Sequence, residues 1–323
     1  MIEELANNLR VIALPMRTNF RGLSLRETAL FEGPYGWGEF AAFKEYGTEE
    51  SVPWLNSALE AAFSPRPSLF RNKVKVNATI PATNDRAMIE DLLDRYQGCE
   101  VAKIKIGGDI AKDLERVKIV RSIKPDIRLR FDVNGAWSVE QAIADSYALY
   151  ENFGGIEYIE QPCATLEELR EFKSQEKINV TVCGDEVVRK SKFQGDLDGA
   201  VDLIMLKVSP IGGINKAHEI AEFHKKPVVV SSALESAVGI SYGAALAASF
   251  EETPYAAGLA TGELFTGDVG YNHIVNGEIE VKSITPSFEY EVSGDTRAWW
   301  QNRLNEVWIA GSEKFAREEG WDK

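Results

Sequence analysis

Short apolar runs rich in β-branched residues recur along this chain at a nearly constant interval. That interval restricts the fold more than any other feature of the sequence. The runs lie at 76–81, 101–106, 127–133, 156–160, 180–184, 202–207, 227–231 and 256–259, and their starts are 22 to 29 residues apart. Helical patterns fill most of the gaps, at 113–123, 139–150, 166–174, 214–223 and 236–250. A strand followed by a helix, repeated in this way, predicts a parallel sheet. Eight strands over about 190 residues predict a (β/α)8 barrel, whose active sites lie at the C-terminal ends of the strands. A doubly wound open sheet is the competing arrangement, but no Gly-x-Gly-x-x-Gly follows the first run.

The ends of the chain depart from the repeat. Residues 9–14 and 23–31 read as strands, 36–40 as a short strand or tight turn, and 48–63 as a helix. In that helix Thr48 is placed to cap the start, and Val52, Leu55, Leu59 and Phe63 form an apolar stripe. This predicts an α+β unit over 1–72, bounded by Ser64-Pro65-Arg66-Pro67-Ser68. Near the other end, Asn276-Gly277 has the chemistry of a two-residue hairpin, and 295–315 reads as an amphipathic helix. The expected division is a capping domain of 1–72 plus 273–323 over a barrel of 73–272, with the tail returning to the N-terminal unit.

Charge gathers where the predicted strands end. Lys105 ends the second run, Asp132 the third, Glu160 the fourth, Asp185 the fifth and Lys207 the sixth. Ser231, Ser232 and Glu235 follow the seventh. Strand side chains alternate faces, so Lys103 and Lys105 share one face, as do Arg130 and Asp132. An interior arginine needs a partner, so Arg130 is expected to brace a neighbouring carboxylate from below. Three carboxylates brought together from neighbouring strands are oxygen-only donors. They suit a hard divalent ion, Mg²⁺ more readily than Zn²⁺ and with Mn²⁺ also possible. A metal beside a positioned lysine suits proton abstraction next to a substrate carboxylate. Burial and neighbouring positive charge both lower a lysine's pKa, as a base near neutral pH requires.

Each of these residues also has a plain structural reading. Lys105 and Lys207 could be solvated strand-end or loop lysines, and Asp132-Val133-Asn134-Gly135 could be a turn. Glu160 could be a strand end stopped by Pro162, and Asp185-Glu186 could cap a helix. Ser232-x-x-Glu235 has the spacing of a capping box. Five successive strand ends carrying charge make coincidence a poor account of the set. His218, His224 and His273 are best read as structural. A formal charge of −14 argues against nucleic-acid or anionic-membrane partners. Three widely spaced cysteines and a start without a signal-peptide pattern fit a cytoplasmic protein. Oligomeric state is left open.

Lys103-Ile104-Lys105, Asp132-Val133-Asn134, Glu160-Gln161-Pro162, Gly184-Asp185-Glu186 and Lys207 together resemble the muconate-lactonizing subgroup of the enolase superfamily. The resemblance covers essentially the whole chain. It implies a modified (β/α)7β barrel beneath a capping domain, with Asp132, Glu160 and Asp185 binding Mg²⁺. It makes Lys105 the acid/base and Lys207 the opposed lysine, with Lys103, Arg130 and Asn134 in support. Lys103, one layer below the rim, is expected to tune Lys105. The compact cap, residues 15–22 and Ser231-Ser232-Ala233-Leu234-Glu235-Ser236 look most like the short actinobacterial dehydratases of menaquinone synthesis. Those enzymes remove water by syn β-elimination from a cyclohexadiene carboxylate. Phe20 and Arg21, with groups at Ser231, Ser232, Glu235 and Gly258, would then hold the substrate's succinyl tail. An N-succinylamino acid racemase, or another 1,1-proton-transfer enzyme, would need the same lysines and is the competing activity. The eighth run continues as Leu259-Ala260-Thr261-Gly262-Glu263 and lacks the Asp-x-Asp of dipeptide epimerases. A non-catalytic barrel would keep the fold but need not keep all five charged groups.

Overall fold

A computed structural model of the chain describes residues 1–191 and 195–322. The chain opens with helix α1 (Ile2–Asn8) and an antiparallel sheet of β1 (Arg10–Phe20), β2 (Leu23–Gly33) and β3 (Gly36–Phe40), followed by α2 (Thr48–Phe63). Val11, Ile12, Leu30 and Phe31 are buried in one core with Trp54, Leu55 and Leu59 of α2. The N-cap of α2 is Gly47, with no side-chain cap bond. Thr48 is therefore the first helical residue and not the cap expected from the sequence.

Strand β4 (Lys73–Lys75) leads into β5 (Ala78–Ile80), and the repeat follows. It runs α3 (Arg86–Arg95), β6 (Val101–Lys105), α4 (Ile110–Ile123), β7 (Arg128–Asp132), α5 (Val139–Asn152), β8 (Ile156–Glu160) and α6 (Leu166–Gln175). It continues with β9 (Val182–Gly184), α7 (Glu186–Ser191), β10 (Leu203–Lys207), α8 (Val208–Ile211), α9 (Ile214–His224), β11 (Val228–Ser231) and α10 (Ala237–Ser249). Strands β5 to β11 form a seven-stranded sheet in sequence order, and every pair is parallel. The eighth segment closes it. Gly258 bridges Ser231 on one side and Ala257 bridges Val76 on the other, both parallel. A Cβ at Gly258 would lie 2.3 Å from the Ser231 Oγ, so only glycine permits this approach. The chain then leaves without another barrel helix, which gives the (β/α)7β order.

The alternation of β6 is as the sequence implies. Ala102, Ile104 and Ile106 pack into the apolar core, while Lys103 and Lys105 turn inward. Several barrel helices begin where short polar side chains satisfy their first N–H groups. Ser138 with Gln141 and Thr165 with Glu168 form capping boxes. Helix α3 was not apparent in the sequence, because it is polar overall and buries only Ile89, Leu92 and Leu93.

In the tail, Asn276 and Gly277 both have positive φ, 53° and 74°, as a two-residue hairpin requires. The hairpin's second strand, β12 (Glu278–Glu280), pairs antiparallel with β4. The chain then crosses to the first sheet, where Ala13 N–H donates to Tyr290 O at 3.0 Å and Val292 N–H to Val11 O at 2.8 Å. Helices α11 (Asp295–Val307) and α12 (Glu313–Glu318) follow, and Trp300 and Leu304 are buried in the core. Among the described residues no helix is long and apolar enough to cross a membrane.

Candidate active site

Register brings the charged strand ends to one level. Lys105 pairs with Asp132, Asp132 with Glu160, and Glu160 with Cys183, the second residue before Asp185. Lys207 pairs with Ser231. A cavity of about 640 Å³ opens above them, in the size range of small-molecule sites. Lys103, Lys105, Asp132, Asn134 and Lys207 line its floor and sides, and Ser231, Ser232 and Gly258 line the wall beyond. Phe20 and Arg21 enter from the loop between β1 and β2, as the sequence suggested.

The lysines and carboxylates engage one another. Lys103 Nζ lies 3.0 and 3.3 Å from the two Glu160 oxygens and 3.8 Å from Asp132. Lys207 Nζ donates to Asp185 Oδ2 at 2.5 Å. Lys105 Nζ lies 3.7 Å from Asp132 and is the most exposed of the three lysines, at 28% of its side chain. Burial opposes charge on Lys103 and Lys207. The carboxylates outweigh burial and raise both pKa values, Glu160 leading for Lys103 and Asp185 for Lys207. The sequence-based expectation that burial lowers lysine pKa values is therefore reversed for these two. Burial and the neighbouring Asp132 push Glu160 up to about 7 despite Lys103. Asp132 stays below the usual carboxylate range, because three lysines overcome its burial.

Among the described residues no three His, Cys, Asp or Glu side chains are drawn into a ready metal shell. Asp132, Glu160 and Asp185 face the lysines instead. The donor set still fits a hard cation. It is oxygen-only, comes from adjacent strands, and holds enough crowded negative charge to raise Glu160.

Two assignments change. Glu235 is 1% exposed and does not line the cavity, because its carboxylate turns back to accept from the Ala233 N–H. Ser232-x-x-Glu235 is not a capping box either. Helix α10 is capped by Ser236, and the Ser232 hydroxyl donates to Gly258 O at 2.7 Å. Arg130 lies wholly inside the barrel and pairs with a neighbouring carboxylate, Glu157 (2.7 Å), as well as with Asn77 (3.0 Å) and Ala256 O (2.7 Å).

Two contributors escaped the sequence. Gln161, with positive φ (42°), accepts from the Asp185 N–H at 3.0 Å and so fixes the start of α7. Glu186 lines the cavity and accepts from the Asn134 side chain at 3.1 Å. Burial and Asp185 raise its pKa. Their only signal was adjacency to Glu160 and Asp185.

Comparison with known proteins agrees with this architecture. Residues 11–62 match the enolase N-terminal domain-like family and 87–283 the enolase C-terminal domain-like family. The chain is 42% identical over 313 residues to an o-succinylbenzoate synthase of Mycobacterium ulcerans, covering 94% of each chain. To that of Mycolicibacterium smegmatis it is 40% identical, covering 94% of this chain and 96% of the relative. Muconate lactonizing enzyme from Pseudomonas fluorescens has the same fold, with a TM-score of 0.70 at 17% identity, covering 91% of this chain and 97% of that one. A Bacillus subtilis L-Ala-D/L-Glu epimerase aligns with a TM-score of 0.71 at 20% identity, covering 88% and 98%. The chain belongs to the enolase superfamily, in the family of its o-succinylbenzoate synthase relatives.

Proposed function

We propose that this protein is an o-succinylbenzoate synthase. In this reading it dehydrates 2-succinyl-6-hydroxy-2,4-cyclohexadiene-1-carboxylate to 2-succinylbenzoate in menaquinone biosynthesis, in the cytoplasm. The identity to curated relatives of that name along nearly the whole chain supports the reaction. The observation that carries the chemistry is the cavity floor, where Lys105 and Lys207 come from strands four positions apart in the sheet and flank the carboxylates.

In this reading Lys105 takes the proton α to the substrate carboxylate, as the lysine with the most room to reach a ligand. The C–H electron pair moves into the ring and the C–O bond breaks. Hydroxide leaves as water with the proton returned by Lys105, and the ring becomes aromatic. Lys207, fixed by Asp185, opposes developing negative charge from the other side. Asp132, Glu160 and Asp185 would hold a divalent cation, Mg²⁺ or Mn²⁺, which would stabilise negative charge building on the substrate carboxylate. Lys103 sets the field beneath Lys105 through Glu160 and Asp132. Phe20, Arg21, Ser231, Ser232 and Gly258 make the remaining surface against a small carboxylate substrate. The capping unit is residues 1–72 with the tail. The tail of this reading begins at 273, and within it β12 pairs with β4 at the start of the barrel segment.

The test is an assay of the purified protein for loss of the cyclohexadiene absorbance with Mg²⁺, then with a chelator, then with Mg²⁺ restored. Turnover that stops and returns with the metal is expected. No dehydration, together with racemisation of N-succinylamino acids, would replace this reading with the racemase.

A further inference from the structure

One wall of the cavity has an unusual backbone. Leu234 has φ of 64°, a left-handed conformation that branched residues seldom adopt. With Ser232 and Ala233 it forms the turn after β11 that borders the cavity. The turn is held from behind. Arg26, on β2 of the capping sheet, donates from Nε to Leu234 O at 3.1 Å. Glu235 accepts the Ala233 N–H at 2.5 Å. Arg26 also touches a second part of the lining. It donates to Ala41 O, and its guanidinium carbon lies 4.2 Å from the ring centre of Phe43, which lines the cavity. Arg26 and Glu235 are 3% and 1% exposed, and neither lines the cavity. Burial lowers the Arg26 pKa to about 10 even with Glu39 and Glu235 nearby, so the charge sits there at a cost.

We infer that Arg26 and Glu235 are positioning residues that set the width of the substrate cavity, holding the strained Ser232–Leu234 turn at a fixed distance from Phe43. The inference rests on the cavity being the dehydratase site proposed above. Such residues hold substrate equally in the ground and transition states, so their loss raises KM and spares kcat.

The experiment measures kcat, KM and Tm for wild type, Arg26→Lys, Glu235→Met, Glu235→Gln and Glu291→Gln. Glu291 pairs with Arg10 away from the cavity and reports cap stability alone. Arg26→Lys loses the Nε donor, and Glu235→Met loses the acceptor at similar volume. Both should raise KM roughly 5- to 10-fold with kcat within about twofold. Glu235→Gln keeps an acceptor oxygen, and its KM should stay within about twofold of wild type. Glu291→Gln should lower Tm and leave KM in place. If Arg26→Lys does not fold, the Glu235→Met and Glu235→Gln pair decides. Unchanged KM in folded Arg26→Lys and Glu235→Met, or KM that follows Tm and moves in Glu291→Gln too, overturns the inference. A wild type that does not dehydrate overturns the function and this inference together, whereas an active wild type with unmoved variants overturns this inference alone.

Discussion

Lys105 and Arg130 both point into the barrel, on adjacent strands and one layer apart, yet their charges are satisfied in different ways. Arg130 is fully enclosed. Glu157 takes its Nε–H, Asn77 and a backbone carbonyl take Nη1, Nη2 has no hydrogen-bond partner among the described residues, and the Tyr158 ring lies 4.8 Å from its guanidinium carbon. Lys105 has a single carboxylate oxygen at 3.7 Å, beyond hydrogen-bond length, and more than a quarter of its side chain faces the cavity. In the deeper layer Arg130 is shut away from the cavity. The rim layer keeps carboxylates crowded enough to push Glu160 up to about 7 and keeps a lysine within reach of a ligand. Inward charge is therefore common to both layers, and what distinguishes the reactive one is a lysine open to the cavity beside crowded carboxylates.

Substitutions in the two layers should have opposite signatures. At the rim, Glu160→Gln removes a negative donor without changing shape. Calorimetry should then show Mg²⁺ affinity falling roughly 10- to 100-fold or more, and dehydration should fall roughly 10³-fold, with little loss of stability. Undiminished Mg²⁺ binding would remove Glu160 from the metal site. One layer down, Arg130→Met leaves Glu157 with only the half-exposed Arg128 and leaves the carbonyl of Ala256 and the Asn77 side chain without their donor. Urea unfolding should report a loss of about 3–5 kcal/mol, and kcat at low temperature should change less than threefold. A folded Arg130→Met with kcat reduced a hundredfold would erase the distinction between the layers.

Both layers were legible in the sequence, for one reason. Period-two alternation fixes which side chains of a strand face inward, and the 22- to 29-residue repeat fixes where each strand ends. Residues on regular strands, such as Lys105, Asp132 and Lys207, could therefore be placed. Where the backbone leaves that geometry, the reading failed. Glu235 follows a residue with positive φ, so its side chain turns away from the cavity that Ser232 borders. Gln161 sits on another such residue and serves the Asp185 backbone rather than solvent. Arg130 was expected to brace a neighbouring carboxylate, and it pairs with Glu157, on the next strand and three residues before Glu160. Periodicity gives the face a residue occupies, not the partner it reaches.

A third place for buried charge should give the smallest effect. Asp268 accepts the Ala237 N–H at the start of α10 and its own neighbour's N–H, yet burial dominates and raises its pKa to about 7. A carboxyl raised in the folded state contributes stability that is present below its unfolded pKa, near 4, and is lost as pH rises through 7. Thermal melts from pH 4 to 8 should show this loss in wild type and a flatter profile in Asp268→Asn. Identical slopes would mean that Asp268 ionises freely in the fold.

The role of Lys105 is most directly measured by dehydration kinetics of Lys105→Ala, with Mg²⁺ binding checked by calorimetry on the same preparation. Dehydration should fall by roughly 10³- to 10⁴-fold while cation binding stays within a few-fold of wild type. Dehydration near the wild-type rate would contradict the assignment and place the base elsewhere in the cavity.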